Sequence, residues 1–190
     1  PSRPDRPRIA FQGIAGAFSE LAVQHWWPDA QAVGYPTFRA ALDAVIERSC
    51  DAGVIPIHNR IAGPVEAAIA ALDAAHTAVI RVEETEVPVE LCLLAHATYV
   101  PGTPIRDVLS HPMALAQCAP FLATLDATVI VHEDTAGAAR DVAHGTDPSR
   151  VAIASARAAE AYGLVILERG IQAQADNRTR FVRVERRPAP

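Results

Sequence analysis

Short apolar strand segments alternate with amphipathic helical segments along nearly the whole 190-residue chain, and that alternation admits few folds. Ile9–Phe11, Gly53–Ile57, Val79–Val82, Val89–Leu94, Val108–Leu109, Thr128–Val131, Val151–Ala154, Leu164–Leu167 and Phe181–Val184 read as strands. Between them the spacing predicts helices with recognisable ends. Ser19 caps one that runs to Trp27, where Pro28 stops it. Thr37 caps a second, whose Phe38, Ala41, Leu42, Val45 and Ile46 fall on one face. Pro64 opens a third, with Val65, Ile69 and Leu72 inward. Pro112 starts a helix through Leu115, Cys118, Leu122 and Leu125, in which Pro120 predicts a kink or an early break. Thr135 caps a helix through Ala143, and Ser155 caps another that Gly163 ends. Such a chain is expected to be α/β, its helices covering mainly parallel sheets.

Composition excludes whole classes of chemistry. All 17 basic residues are arginine. With no lysine, Schiff-base catalysis, a pyridoxal-phosphate lysine and a Walker-type phosphate loop are ruled out. A net charge of −5 disfavours a general nucleic-acid surface. No apolar run approaches the roughly 18 residues that span a bilayer, and Pro1–Pro7 lacks a signal-peptide layout. Cys50, Cys92 and Cys118 are few and widely spaced. Neither a disulfide framework nor a zinc site is expected, and a reducing cytoplasm fits.

In α/β folds ligands bind beyond the carboxyl ends of strands, where helix N-termini attract anions. Four polar clusters fall at such points: Gly16–Ser19, His58–Arg60, Ser110–Pro112 and Asn177–Arg180. Each also has a plain structural reading. Ser19 is an N-cap, His58 and Asn59 are turn residues, Ser110 and His111 cap a helix, and the arginines are solvated. The last cluster has the most chemistry in it. A hydroxyl between two guanidiniums feeds an ordered strand, and arginine forks bind carboxylates at about 1.5–3 kcal/mol per charge-assisted bond.

The chain resembles the prephenate dehydratase family from about Arg8 to Glu185. The resemblance is carried by Ile9–Gly13 with Gly16–Glu20, Val54–Asn59, Ser110–Cys118, Thr135–Ala139, Ala152–Ser155 with Ala158–Leu164, and the Thr179–Arg180–Phe181 hallmark, in that order. It implies a two-lobed α/β fold like a type II periplasmic binding protein, with an interlobe cleft for substrate. The first lobe would hold residues 1–85 plus 172–190 and the second residues 86–171. The chain would cross near Glu84–Pro88 and return near Gly170–Ala173. The implied reaction is that of a lyase: prephenate loses its ring carboxylate and ring hydroxyl together, giving phenylpyruvate, carbon dioxide and water. Aromatisation drives the step, so no metal or organic cofactor is implied. Thr179 matches the threonine thought to help the hydroxyl leave, with Asn59 and His58 as further catalytic candidates. Phe18, Ser19, Ala17, Arg60, Ser110, Met113, Arg180 and Phe181 are the candidates for binding a small dicarboxylate substrate. A homodimer is implied by the resemblance alone. The family's phenylalanine-sensing domain is expected to be missing, since only Arg186–Pro190 come after the last strand.

Departures from the family pattern fall among these polar groups. Ala17 stands where threonine is usual, His58–Asn59–Arg60 where the family reads Glu-Asn-Ser, and Met113 where it has glutamine. Glu90–Leu91 replaces a basic residue and histidine. Three readings fit this pattern. The chain is a dehydratase in which His58, able to move a proton near neutral pH, and Arg60, able to clamp a carboxylate, supply what is lost. Alternatively it is a specialised paralogue acting on prephenate or a related cyclohexadienyl acid, for instance decarboxylating without aromatising. Or it is a binding protein without catalysis, since fold alone does not fix function.

Overall fold

The computed structural model describes residues 6–188, so the outermost residues of the first-lobe assignment and Pro1–Asp5 of the segment read for a targeting signal lie outside the described residues. The chain divides into two compact units: one runs to Ile14 and adds Phe18–Pro88 and the residues from Arg178 on; the other holds Ala15–Ala17 and Val89–Asn177.

The first unit is built on β1 (Arg8–Gln12), α1 (Phe18–Trp26), β2 (Gln31–Tyr35), α2 (Phe38–Ile46), β3 (Ala52–Asn59), the short β4 (Gly63–Pro64), α3 (Glu66–Ala74) and β5 (Val79–Pro88). The second contains β6 (Cys92–Ala95), β7 (Asp107–Ser110), α4 (Pro112–Gln117), α5 (Ala119–Leu122), β8 (Thr128–Val131), α6 (Thr135–His144), β9 (Arg150–Ala154), α7 (Ala156–Tyr162) and β10 (Val165–Glu168). The final strand, β11 (Arg178–Arg186), returns to the first. The sheets run in the orders β2-β1-β3-β11-β5, with β4 paired to β3, and β10-β6-β9-β7-β8.

The fold is α/β, but its sheets are mixed rather than mainly parallel. Helical crossovers leave β1 parallel to β2 and β3, and β7 parallel to β8 and β9. β11 instead arrives from the second unit and runs antiparallel to both β3 and β5, while β6 is antiparallel to β9 and β10. The return also falls later than Gly170–Ala173. Ile171 N donates to Leu91 O, Ala173 N to Gln117 O, and Asn177 Nδ2 to Gln117 Oε1 at 3.0 Å. These bonds keep the segment in the second unit until Arg178.

Thr37, His111 and Ser155 cap α2, α4 and α7 as side-chain acceptors, and Gly163 ends α7 in the left-handed region at φ 68°. Other ends shift by a residue or two. α1 begins at Phe18, so Ser19 sits inside its first turn rather than capping it. Asp134, not Thr135, caps α6, since its extended backbone lets Oδ1 accept from Gly137 N at 2.6 Å. Pro64 belongs to β4, and α3 starts at Glu66. The helix opened by Pro112 breaks at Cys118 into α4 and α5, with Pro120 in the first turn of α5. β2 is an edge strand without a clean apolar alternation, and the sequence reading passes over it.

Each unit has its own core. In the first, Ile55, Ile57, Val182 and Val184 pack with Ala41, Leu42 and Val45 of α2 and Ala68 and Leu72 of α3. In the second, Leu94, Leu109, Ala152 and Ala154 pack with alanines of α6 and α7.

This packing sets two expectations. Phe181 is 1% exposed, and Phe181→Ala is expected to lower unfolding free energy by about 3–5 kcal/mol, measured by denaturant titration. All three cysteines are free and buried, and burial pushes the Cys118 thiol up to about 12. Below that pH the Cys118 thiol stays protonated and a poor nucleophile. An aromatic disulfide reagent at pH 8 should therefore titrate almost no thiol in the native protein, and three per chain once it is denatured.

Candidate active site

The carboxyl edge of the first sheet gathers β1, β3, the start of β11 and the end of β5, and α1 begins just beyond it. Parallel strands whose chain leaves by the same edge place their following turns and helix N-termini there. At this edge Thr179 is the cross-strand partner of Asn59 and Arg180 that of His58. Cross-strand partners share a face and neighbours along a strand alternate, so the four residues divide into two pairs on opposite faces of the sheet.

α1 identifies the face that carries Thr179. Thr85, opposite Phe181 in the β5–β11 ladder, is 3.1 Å from His25 Nε2 of α1. Thr179 lies two residues along from Phe181 and shares its face. The other face carries Arg180, whose Nη1 is 3.7 Å from Glu84 Oε2, together with Val182 in the core beneath α2 and α3. His58 stands with Arg180 there. The structure therefore brings Asn59, and not His58 or Arg180, to Thr179.

The Asn59 side chain is held at both ends of its amide. Its Oδ1 accepts from Ile61 N (3.0 Å) and Ala62 N (2.8 Å) in the β3–β4 turn. Its Nδ2 donates to Thr179 Oγ1 (2.9 Å) and Arg178 O (3.3 Å). The two backbone N–H groups fix which amide atom is oxygen, because only a carbonyl can accept from them. The NH₂ group must then face Thr179, and the threonine oxygen must accept. With an acceptor site of its oxygen so occupied, Thr179, itself only 9% exposed, keeps its own O–H to donate. Asn59 thus sets the polarity of the hydroxyl as well as its position. Arg60 is exposed, and its N–H donates to Arg178 O at 2.9 Å, tying the turn to β11.

Ser19 lies on the same side of the sheet, in the first turn of α1. It is 8% exposed, and its hydroxyl has no hydrogen-bond partner among the described residues. Ala17, which precedes the helix, has no side-chain acceptor, so α1 starts without a side-chain cap at that position. Half-buried Phe18 is its first residue. The Ser19 hydroxyl and the free N–H groups of the helix N-terminus can donate to an anion, beside Glu20, the acidic residue of the same turn.

Two of the expected contact residues are buried. Phe181, 1% exposed, lies in the core. Ser110 is fully buried and donates from Oγ to Ile153 O at 2.6 Å, fastening β7 to β9 beyond their last register pair. In the second unit Met113, 45% exposed, occupies the first turn of α4, its N–H bound to His111 Nδ1 at 3.2 Å. Sequence reasoning had not singled out Gln117, which accepts from Ala173 N and from Asn177 Nδ2 and so ties α4 to the segment before β11. Nothing in its helical spacing sets it apart. Among the described residues no cluster of histidine, cysteine or carboxylate groups could hold a metal ion, and no helix is long and apolar enough to cross a membrane.

Comparison with known proteins adds an independent line. The family model for prephenate dehydratase matches residues 9–189. Arogenate dehydratase 3, chloroplastic, of Arabidopsis thaliana is 40% identical over 186 residues, covering 95% of this chain and 42% of that protein. Arogenate dehydratase/prephenate dehydratase 2, chloroplastic, of the same plant is 39% identical over 188 residues, covering 98% and 48%. This chain therefore spans less than half the length of these relatives. Among solved structures, one described as GqqA, a novel type of quorum quenching acylases, superposes with a TM-score of 0.84 at 36% identity, covering 96% of this chain and 65% of that one. Prephenate dehydratase from Arthrobacter aurescens in complex with L-Phe gives 0.81 at 28%, covering 96% and 61%. With the family model matched from β1 to the end of β11, and with the hallmark threonine oriented by an asparagine across the sheet, the chain belongs to the prephenate dehydratase family.

Proposed function

We propose that this chain forms the catalytic part of a dehydratase that converts prephenate into phenylpyruvate, carbon dioxide and water. The observation that carries the reading is the Asn59 Nδ2–Thr179 Oγ1 bond of 2.9 Å, which leaves Thr179 as a hydrogen-bond donor. In the reaction the ring C–carboxylate bond breaks, its electron pair enters the ring, and the ring C–O bond breaks opposite to it. The departing oxygen gathers negative charge and needs a proton. A threonine too weakly acidic to ionise can hydrogen-bond that oxygen and relay a proton to it, help typically worth about 10²–10⁴ in rate. Ser19 and the N-terminus of α1 would receive a substrate carboxylate on the same side of the sheet. Arg180 and His58 would act on the strand: Arg180 pairs with Glu84 on the far face, and His58 is its cross-strand neighbour.

Relatives carrying both activities in their names make arogenate the substrate to test beside prephenate. A second reading rests on the 36% identity to the structure described as a quorum quenching acylase. An acyl transfer would need Thr179 or Ser19 activated by a base, whereas Thr179 faces an amide donor. We further propose that the protein works in a reducing cytoplasm, as a homodimer.

Mass and ultraviolet analysis of products from prephenate, arogenate and an N-acyl amide separates these readings. Phenylpyruvate formed fastest from prephenate is the expected result; amide hydrolysis alone would sink the dehydratase. Thr179→Ala is expected to lower kcat by roughly 10²–10⁴ with substrate affinity changed only a few-fold, and Thr179→Ser to keep much of the rate. Asn59→Asp should cost a comparable factor, because a carboxylate draws the threonine O–H onto itself. An Asn59→Asp variant as fast as wild type in steady-state assays would remove the polarity argument.

A further inference from the structure

β3 meets β11 in two registers. Gly53, Val54, Ile55 and Pro56 stand opposite Val184, Arg183, Val182 and Phe181 in turn, and the next pair is His58 with Arg180. Ile57 is therefore the extra residue of a β-bulge. Its side chain lies in the core that α2 and α3 cover, and its carbonyl accepts from Val65 N at 3.1 Å. Carried on without the bulge, the register of Phe181 and Pro56 would set Thr179 opposite His58. With it, the partner is Asn59. Proline has no N–H for a regular ladder, so in an inner strand it belongs at such an irregularity. Pro56 stands immediately before the extra residue.

A second backbone feature fixes the amide at that place. β3 pairs with β4 so that Asn59 is opposite Gly63, leaving Arg60, Ile61 and Ala62 as the turn. Three-residue turns of this kind are closed by a residue in the left-handed region, and Gly63 has φ +83°. The bend aims the N–H groups of Ile61 and Ala62 at Asn59 Oδ1 and that of Arg60 at Arg178 O. The Arg60 bond makes Arg60 and Arg178 a hydrogen-bonded pair. Asn59 and Thr179 beside them are then a pair of the other kind, whose side chains lie closest. A Cβ on Gly63 would meet no atom within 4 Å. The position asks for glycine on account of its backbone alone.

We infer that Ile57 and Gly63 are positioning residues for the proposed dehydration. The bulge sets Asn59 rather than His58 opposite Thr179, and the Gly63 turn locks the amide with its NH₂ toward the threonine. This rests on the proposed dehydratase reading. Both residues act through Asn59 and not on the reacting atoms. What they supply is preorganisation: the threonine O–H is aimed before charge develops on the departing oxygen.

Gly63→Ala and Gly63→Asn form the test, since asparagine visits the left-handed region readily and alanine does not. In steady-state assays with prephenate, Gly63→Ala is expected to lower kcat about ten- to a hundredfold, with KM within about threefold of wild type. Gly63→Asn should return kcat to within about threefold of wild type. The side-chain NH₂ resonances of Asn59 should shift in the alanine variant and return in the asparagine one. A merely structural glycine would lower thermal stability and leave kcat of the folded protein unchanged. Deleting Ile57 should set His58 opposite Thr179 and cost roughly 10²–10⁴ in kcat, of which His58→Asn in the same chain should recover about tenfold or more. Should the deletion not fold, the two Gly63 variants decide alone. Wild-type kcat in Gly63→Ala, equal loss in both Gly63 variants, or a folded double variant no faster than the deletion overturns the inference and leaves the dehydratase standing. A wild-type protein that converts neither prephenate nor arogenate overturns the dehydratase reading and the positioning role with it.

Discussion

The insertion of β11 between β3 and β5 is the constraint on which the candidate site depends. It brings together residues 120 apart in sequence, Asn59 and Thr179, and closing so long a loop carries an entropic cost. The cost is met by two ladders of backbone hydrogen bonds and by burial of Phe181, Val182 and Val184. These apolar residues serve the site only indirectly. They fix the register, and the register decides that Thr179 meets Asn59 rather than His58. A slip of one residue would turn Thr179 to the other face and put Arg180 in its place.

Register also explains why the charge around the hallmark is less direct than it reads. Arginines at 178 and 180 flank the threonine in sequence, yet a strand sends alternate side chains to opposite faces. Arg180 is therefore on the side of Glu84, one of the carboxylates on β5, an edge strand whose exposed charges also discourage pairing with other sheets. The group beside Thr179 is a neutral amide. A weak acid oriented by a neutral donor suits a step in which a hydrogen bond must strengthen as an oxygen leaves, because the donor is already aimed when charge develops.

A similar economy holds at the start of α1. The sequence offers a hydroxyl near a helix start, and the simplest reading makes it a cap. In the structure the helix begins at Phe18, two residues earlier than a cap at Ser19 would start it, and Ser19 lies inside the first turn in a nearly buried position.

The sequence by itself determined the α/β alternation, the caps at Thr37 and Ser155, the break near Pro120 and the family, because propensity, capping and motif order are local properties written in neighbouring residues. It also named Thr179, Asn59 and Ser19. Only the tertiary structure decided the mixed sheet order, the late return at Arg178, the burial of Ser110 and Phe181, and the division of His58 and Arg180 from Thr179. Each of these turns on which strand lies beside which and in what register. That pairing is set by contacts between residues far apart in the chain, which no local pattern encodes.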